Sequence, residues 1–390
     1  MGASRPTITG YFECIMAKIA PIFADYNATT PLCPPVAERL LAWASYTGNA
    51  SSAHAFGQDM DHRYHTALDT ITQWLHCSNY TILSCGSATE ANNWWFHSIC
   101  QTAVDCPRVI VSAIEHPSVM AVVRYYARMG RIDYRICNVT ALGIIDCDHL
   151  ASLLTPNTLC VSVMFANNEL GTIQPMARVI ELAHRVGALV HCDAVQAVGK
   201  YPIHMNDLGV DALTCSAHKC YAPVGCGLLI VATTDRLTPL LWGGSQQQQL
   251  RGGTINVMGV DLFAHGLNYC YSQLPTAIAI HDWADHLVDT VNRIHRTVLA
   301  PKQHLLWNTV SMIVEGCSSY DTMMALDLQG IAVGTGSACA TGATEISPVI
   351  RALSLNPSHE DSVIRLSFGY DTTPEQLAYI EQVLVTRYAA

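Results

Sequence analysis

One lysine stands out by its setting. Lysine is scarce, four in 390 residues, and Lys219 lies in Ser216-Ala217-His218-Lys219-Cys220. Apolar runs flank it, Ala212-Leu213-Thr214-Cys215 before and Leu228-Leu229-Ile230-Val231 after. That pattern reads as strand, tight loop, strand, with an amine at the turn. A lysine withdrawn from water loses proton affinity, because its charged form is desolvated. The free amine that results is a nucleophile toward aldehydes. A lone loop lysine is ordinarily just solvated, so the other polar groups decide.

Those groups follow other apolar runs. After Tyr80-Thr81-Ile82-Leu83-Ser84 comes Cys85-Gly86-Ser87-Ala88-Thr89-Glu90, which opens a helix. Free backbone N–H groups and the helix dipole there suit a phosphate, or an ordinary N-cap. After Val109 to Ser112 comes Glu115-His116-Pro117; His116 can lie flat on an aromatic ring or cap the next helix. After Leu159 to Phe165 comes Asn167-Asn168-Glu169-Leu170-Gly171, where Asn168 can bond a ring hydroxyl or simply form a turn. After Leu189 to Cys192 comes Asp193-Ala194-Val195-Gln196. An aspartate there can pair with a protonated ring nitrogen and make the ring an electron sink, or cap a helix.

The elements that must position these groups are legible as alternation. Strand-like runs at 80–84, 108–113, 132–136, 158–164, 188–192, 211–215 and 227–232 alternate with helical stretches near 88–102, 117–129 and 176–187. Continuous apolar strands separated by helices predict an α/β fold, a mostly parallel seven-stranded sheet sandwiched by helices. Ligands of open α/β sheets sit beyond the carboxyl ends of the strands, where every group above falls. Residues 256–298 predict two long helices. A strand at 308–314, a helix at 319–329, a glycine-rich loop, a strand at 362–368 and a helix at 373–388 predict a smaller α+β domain. The expected division is an N-terminal extension at 1–20, a small domain from 21–34 and 260–390 with a helix at 35–46 packed on it, and a large domain at 47–259.

Composition narrows the class. Half the chain is apolar and 13% is charged, enough for a substantial core. A net charge of -10 argues against direct nucleic-acid binding. Sixteen cysteines are scattered without a C-x-x-C pair, so no metal site and no disulfide framework is expected, and a reduced, cytoplasmic setting is. No apolar run is long enough to span a membrane.

In this order the motifs resemble the class V (fold-type I) pyridoxal phosphate (PLP) enzymes, and more closely the cysteine desulfurases of the NifS/IscS type. Matching stretches run from Asp25-Tyr26-Asn27-Ala28-Thr29-Thr30-Pro31 and Gly48-Asn49-Ala50-Ser51-Ser52, through Ser87 to Glu90 and Ser216 to Gly227, to Arg251-Gly252-Gly253-Thr254, Gly336-Ser337-Ala338-Cys339 and Ile364-Arg365-Leu366-Ser367. The resemblance implies a PLP-binding large domain. Lys219 would tether the cofactor, Asp193 would pair with its ring nitrogen, and His116 would stack on the ring and move protons. Asn168 and Gln196 would touch the ring hydroxyl. Ala88, Thr89, Ser216 and His218 would hold the phosphate, with Thr254 arriving from a second subunit, which implies a homodimer. Arg365 would clamp the substrate carboxylate, with Asn49 and Arg351 as further candidates.

Cys339 has a setting of its own. It lies among the small residues of Gly334 to Thr344, which suits a mobile thiol. Its spacing to Arg365 resembles the long-loop desulfurases. The implied reaction converts L-cysteine to L-alanine, leaves a persulfide on Cys339, and passes the sulfur to an acceptor protein. Iron–sulfur assembly and thio-modification of tRNA or DNA all remain open as destinations. A selenocysteine lyase or other class V lyase or transaminase is the nearest alternative. A non-catalytic docking scaffold is an alternative of another kind, but it needs none of Lys219, Asp193, His116 and Cys339. Four departures stand out: Ala217 where glycine is usual, Gly252 where serine is usual, Gly86-Ser87 in inverted order, and Gly243-Gly244-Ser245 with the glutamine run after it where three glycines are usual.

Overall fold

The computed structural model describes residues 21–293, 297–299, 304–335 and 346–388. Strand β1 (Ile22–Ala24) opens the described chain. There follow β2 (Thr81–Cys85), β3 (Arg108–Ser112), β4 (Asp133–Cys137), β5 (Thr158–Ser162), β6 (Leu189–Asp193), β7 (Ala212–Ser216) and β8 (Gly227–Val231). These seven form one sheet in the order β2-β8-β7-β6-β5-β3-β4. Its pairings are parallel except at β8, which runs antiparallel to both β2 and β7. The remaining strands, β9 (Thr297–Val298), β10 (Thr309–Ile313), β11 (Ile331–Thr335) and β12 (Val363–Ser367), join β1 in a second sheet ordered β1-β11-β12-β10-β9.

The two-residue period of the strands divides the larger sheet between two apolar layers. Val109, Val111, Leu229 and Val231 face Trp94, Trp95 and Phe96 of helix Ala88–Gln101 and Val119 and Val123 of helix Pro117–Arg128. Ile110, Val161, Leu213 and Ile230 face the other way, toward Ile71 and Leu75 of helix Ala55–Leu75 and Phe263 and Leu267 of helix Val257–Gln273. Truncating one of the buried tryptophans to alanine would cost roughly 3–5 kcal/mol. The smaller sheet has its own core, where Val310, Ile364 and Leu366 meet Leu377 and Ile380 of helix Pro374–Tyr388.

Three features depart from the sequence reading. Helix Ala55–Leu75 was not anticipated, nor was β11, whose residues open the stretch read as a glycine-rich loop. Helix Pro34–Trp43 does not join the smaller sheet. Arg39 and Trp43 both donate to Asp261 of helix Val257–Gln273, at 2.6 and 2.7 Å, and Val36 is buried in the core of the larger sheet. The bidentate arginine–carboxylate pair and the apolar face outweigh proximity along the chain. Among the described residues no helix is long and apolar enough to cross a membrane, and no cluster of acidic, His or Cys side chains is placed to hold a metal. The fourteen described cysteines are all free thiols.

Candidate active site

Parallel strands carry their following loops to one edge of the sheet. β2, β3, β5, β6 and β7 end at Cys85, Ser112, Ser162, Asp193 and Ser216. The polar groups singled out from sequence leave the sheet there together. Lys219 closes a short 3-10 turn, Ala217–Lys219, and is half-buried. Its Nζ donates to the carbonyls of Asn27 and of Ala28, the latter at 2.6 Å. Burial, followed by the charges of Lys200 and Arg365, pushes its pKa down to about 7, against the opposing pull of Asp25 and Asp193. Two residues on, Tyr221 holds a positive φ of 57°. Its amide donates to Thr30 Oγ1 at 2.8 Å and its hydroxyl accepts from the Tyr370 amide at 2.7 Å, so the turn is locked from both sides.

Asp193 ends β6 and is buried. Its Oδ2 accepts from Asn92 Nδ2 at 2.9 Å and its Oδ1 from the Val195 amide at 3.0 Å. His116 caps helix Pro117–Arg128, its Nδ1 accepting from the Ser118 amide at 3.1 Å. The residue is exposed, yet the surrounding protein desolvates its ring enough to lower its pKa; Asp193 raises it and Lys219 lowers it further. His218 bonds Thr29 Oγ1 through Nδ1 at 3.1 Å, and burial with the charges of Lys219 and Lys200 pushes it down to about 4, so its ring is neutral.

Helix Ala88–Gln101 starts with a reciprocal cap. Ser87 Oγ accepts from the Glu90 amide at 3.1 Å, and Glu90 accepts from the Gly86 amide at 2.7 Å. The inverted Gly86-Ser87 order therefore puts the serine at the capping position. The amides of Ala88 and Thr89 are left without an acceptor among the described residues, which is the arrangement an anion needs. Gly227 allows its close approach, since a Cβ there would stand 2.3 Å from the Ser87 carbonyl carbon. Gly252 is explained in the same way: a Cβ would come within 2.6 Å of Gly243 Cα, leaving no room for serine. Ala217, in the 3-10 turn, has no positive φ and is fully buried, so the missing glycine is not needed.

The remaining candidates divide. Arg365 on β12 is buried; Nη1 donates to the Asn168 carbonyl at 2.7 Å and Nη2 to Asp25, while Nε has no partner among the described residues. The Asn168 side chain has no hydrogen-bond partner among the described residues. The Gln196 amide is engaged at both ends, donating to the Asn27 carbonyl at 2.9 Å and accepting from Lys200 at 2.8 Å. Ser216 is buried at the end of β7. Asn49, Thr254 and Arg351 are all exposed, and among the described residues no hydrogen bond or ion pair joins their side chains to Lys219, Asp193 or His116; Asn49 closes a local turn by accepting from the Ser51 amide at 2.9 Å. Cys339 lies outside the described residues.

Several participants carried no role in the sequence reading. Asn27 receives Lys219 and Gln196 on its carbonyl, and its side chain donates to Thr309 Oγ1 at 2.9 Å. Asp25 pairs with Arg365. Glu115 is buried between Ser112 Oγ (2.6 Å) and the Met164 amide (2.7 Å), and burial pushes its pKa up to about 8, so it holds its proton at neutral pH. Lys200, also buried, is pushed down to about 8. The adjacency of Glu115 to His116, and the place of Asp25 and Asn27 in a stretch matching the family, were the only hints.

The donor set fits PLP: an amine poised near neutrality, a buried carboxylate, an exposed imidazole and bare amides at a helix start. The comparisons agree. The model of the family Aminotransferase class-V matches residues 22–380. A cysteine desulfurase of Enterobacter agglomerans is 33% identical over 371 residues, covering 93% of this chain and 91% of that protein. The chain belongs to the class V aminotransferase family, in its cysteine desulfurase branch. The cysteine desulfurase IscS of Dictyoglomus turgidum is 31% identical, with 93% of each chain covered. The solved structure of a NifS-like protein superposes with a TM-score of 0.87 at 28% identity, over 94% of this chain and all of that one. This family membership accounts for the mostly parallel sheet and for the order of the rim motifs.

Proposed function

We propose that the protein converts L-cysteine to L-alanine with PLP held in this cleft, the sulfur leaving as a persulfide on Cys339 for transfer to a second protein. PLP, when bound, supplies the aldehyde that Lys219 attaches and a ring that stores the electrons left as the substrate loses its Cα proton. The observation that carries the reading is Lys219, with its pKa near 7 at the strand-end rim, in electrostatic contact with Asp193. A large part of its population is unprotonated at neutral pH, so the amine can take up an aldehyde and later a proton. Asp193, fixed by Asn92 and the Val195 amide, would keep the ring nitrogen protonated. His116, which is exposed, would stack on the ring.

The phosphate would rest on the amides of Ala88 and Thr89, with Ser216 and His218 beside them. Asn168, whose side chain is uncommitted, suits the ring hydroxyl better than Gln196, whose amide is engaged. Arg365 keeps one free N–H on each terminal nitrogen, and its Nε has no partner among the described residues, so it can still grip a carboxylate. The residues on either side of 336–345 are anchored at the same place. Gly334 packs against the Arg365 guanidinium, and Ser347 donates to Glu169 at 2.8 Å. That placement supports Cys339 as the thiol that meets the substrate sulfur.

Exposed Thr254 and the 82% exposed Trp242 support a second copy of the chain completing the phosphate site. Sedimentation of the purified protein as a monomer at micromolar concentration would remove that part of the proposal. The decisive experiment is the mass of the Cys339 peptide after brief exposure to L-cysteine without reductant. The expected gain is one sulfur atom, about 32 Da, absent in Lys219→Ala. No gain in a protein that binds PLP would sink the desulfurase assignment of Cys339.

A further inference from the structure

A hydrogen-bonded chain runs from Asp193 to His116 through two side chains, Asn92 and Ser118, that carried no role from the sequence. Asn92 Nδ2 donates to Asp193 Oδ2 at 2.9 Å and to Ser118 Oγ at 2.9 Å. Ser118 Oγ lies 2.8 Å from His116 Nδ1, and the Ser118 amide donates to the same nitrogen at 3.1 Å. Asn92 is fully buried, and its Oδ1 has no partner among the described residues. Its orientation is nonetheless fixed, since turning the amide over would set Oδ1 against the Asp193 carboxylate. With both Asn92 hydrogens used, Ser118 Oγ accepts from Asn92 and directs its single proton to His116 Nδ1. Two donors then converge on Nδ1, which must present a lone pair.

Resting on the cleft being the PLP site, we propose that Asn92 and Ser118 are positioning residues that hold His116 as one neutral tautomer, Nδ1 bare and Nε2 protonated. In that state His116 offers the cleft an N–H donor. To become imidazolium it must protonate Nδ1, which requires Ser118 to turn its hydroxyl away and the Ser118 amide to lose its acceptor. The chain therefore opposes the cation from one side of the ring. Of the charged groups facing His116, Lys219 also opposes the cation and Asp193 favours it, while Glu115 next to it keeps its proton. His116 is thus assigned to hydrogen bonding through Nε2, with the proton taken up at Lys219.

The test is nitrogen-15 NMR of the histidine-labelled holoenzyme, with His116→Gln identifying the resonances. Wild type should show only the Nε2–H tautomer and a depressed pKa. Ser118→Ala removes the hydroxyl donor and leaves the amide, so it should weaken the preference for the Nε2–H tautomer and raise the His116 pKa by about half a unit or more, and Ser118→Thr should restore both. Asn92→Ala, which frees the Ser118 hydroxyl to rotate, should fall between. If Ser118→Ala does not fold, Ser118→Cys, a far weaker donor, serves in its place. An unchanged tautomer and pKa in the folded Ser118 and Asn92 variants would overturn the proposal. The readout needs neither turnover nor Cys339, so a failed persulfide assay together with the expected tautomer would refute the activity and leave the positioning role standing.

Discussion

The two sheets furnish one cleft in different ways. The larger sheet supplies Asp193, His116 and Lys219 at or just after the ends of its strands, so each reaches the rim by its place on its own strand, and distant partners such as Asn92 and Asn27 then hold the side chains. The smaller sheet supplies Arg365, which is placed by Asp25, a residue 340 positions away, by the Asn168 carbonyl and by the absent side chain of Gly334. Local placement tolerates change elsewhere in the molecule; long-range placement depends on the whole fold being closed.

That contrast orders the expected effects. Lys219→Ala should abolish turnover, by on the order of 10³-fold or more in kcat, with unfolding by urea little changed. Arg365→Lys should lower kcat/KM roughly 10²-fold, chiefly through KM, because an ammonium cannot reproduce a bidentate fork. Asp25→Ala should mix the two kinds of loss. It leaves the guanidinium buried without its ion pair, and because Asp25 is partly solvated a loss of about 2 kcal/mol in urea stability is expected along with a higher KM. Gly334→Ala would put a methyl 2.5 Å from Arg365 Nη2. It should raise KM and cost about 1–3 kcal/mol, whereas a matching change at a large-sheet loop should affect kcat alone. Equal effects on KM and kcat for every variant would erase the distinction between the sheets.

A further expected effect is a pH dependence of stability. In the folded protein Glu115 keeps its proton up to about 8, against a reference value of 4.5. An acid whose folded pKa is raised contributes most below the unfolded value. That contribution declines as pH rises and is gone above about 8. Glu115→Gln mimics the protonated acid, so the stability gap between variant and wild type should shift in the variant's favour between pH 5 and pH 8. Urea midpoints at the two values measure it.

The same contrast explains what was legible in the sequence. All seven strands of the larger sheet were recognisable, six as largely apolar runs and the edge strand β4 despite its Asp133 and Arg135, and their ends pointed at Asp193, His116 and Lys219. Helix Ala55–Leu75 was not, because its buried stripe of Gly57, Met60, Tyr64, Ala67, Ile71 and Leu75 mixes small and polar-tipped residues with the aliphatic ones. β11 was hidden because Gly334, which makes room for Arg365, reads as loop. Arg365 itself came only from family resemblance, and Asp25, Asn92 and Ser118 received no role at all. Their bonds join residues far apart in the chain, and spacing carries no trace of them.

The antiparallel strand β8 has a consequence for motion. The chain leaves β7, makes the lysine turn, and returns at once along β8, which is paired on both sides by β7 and β2. Other rim loops lead into helices that can tilt; this one is stapled into the middle of a sheet at both ends. The backbone beneath Lys219 is a fixed post. Travel of the amine between cofactor and substrate must therefore come from rotation about its own methylene bonds, an arm swinging from a stationary shoulder.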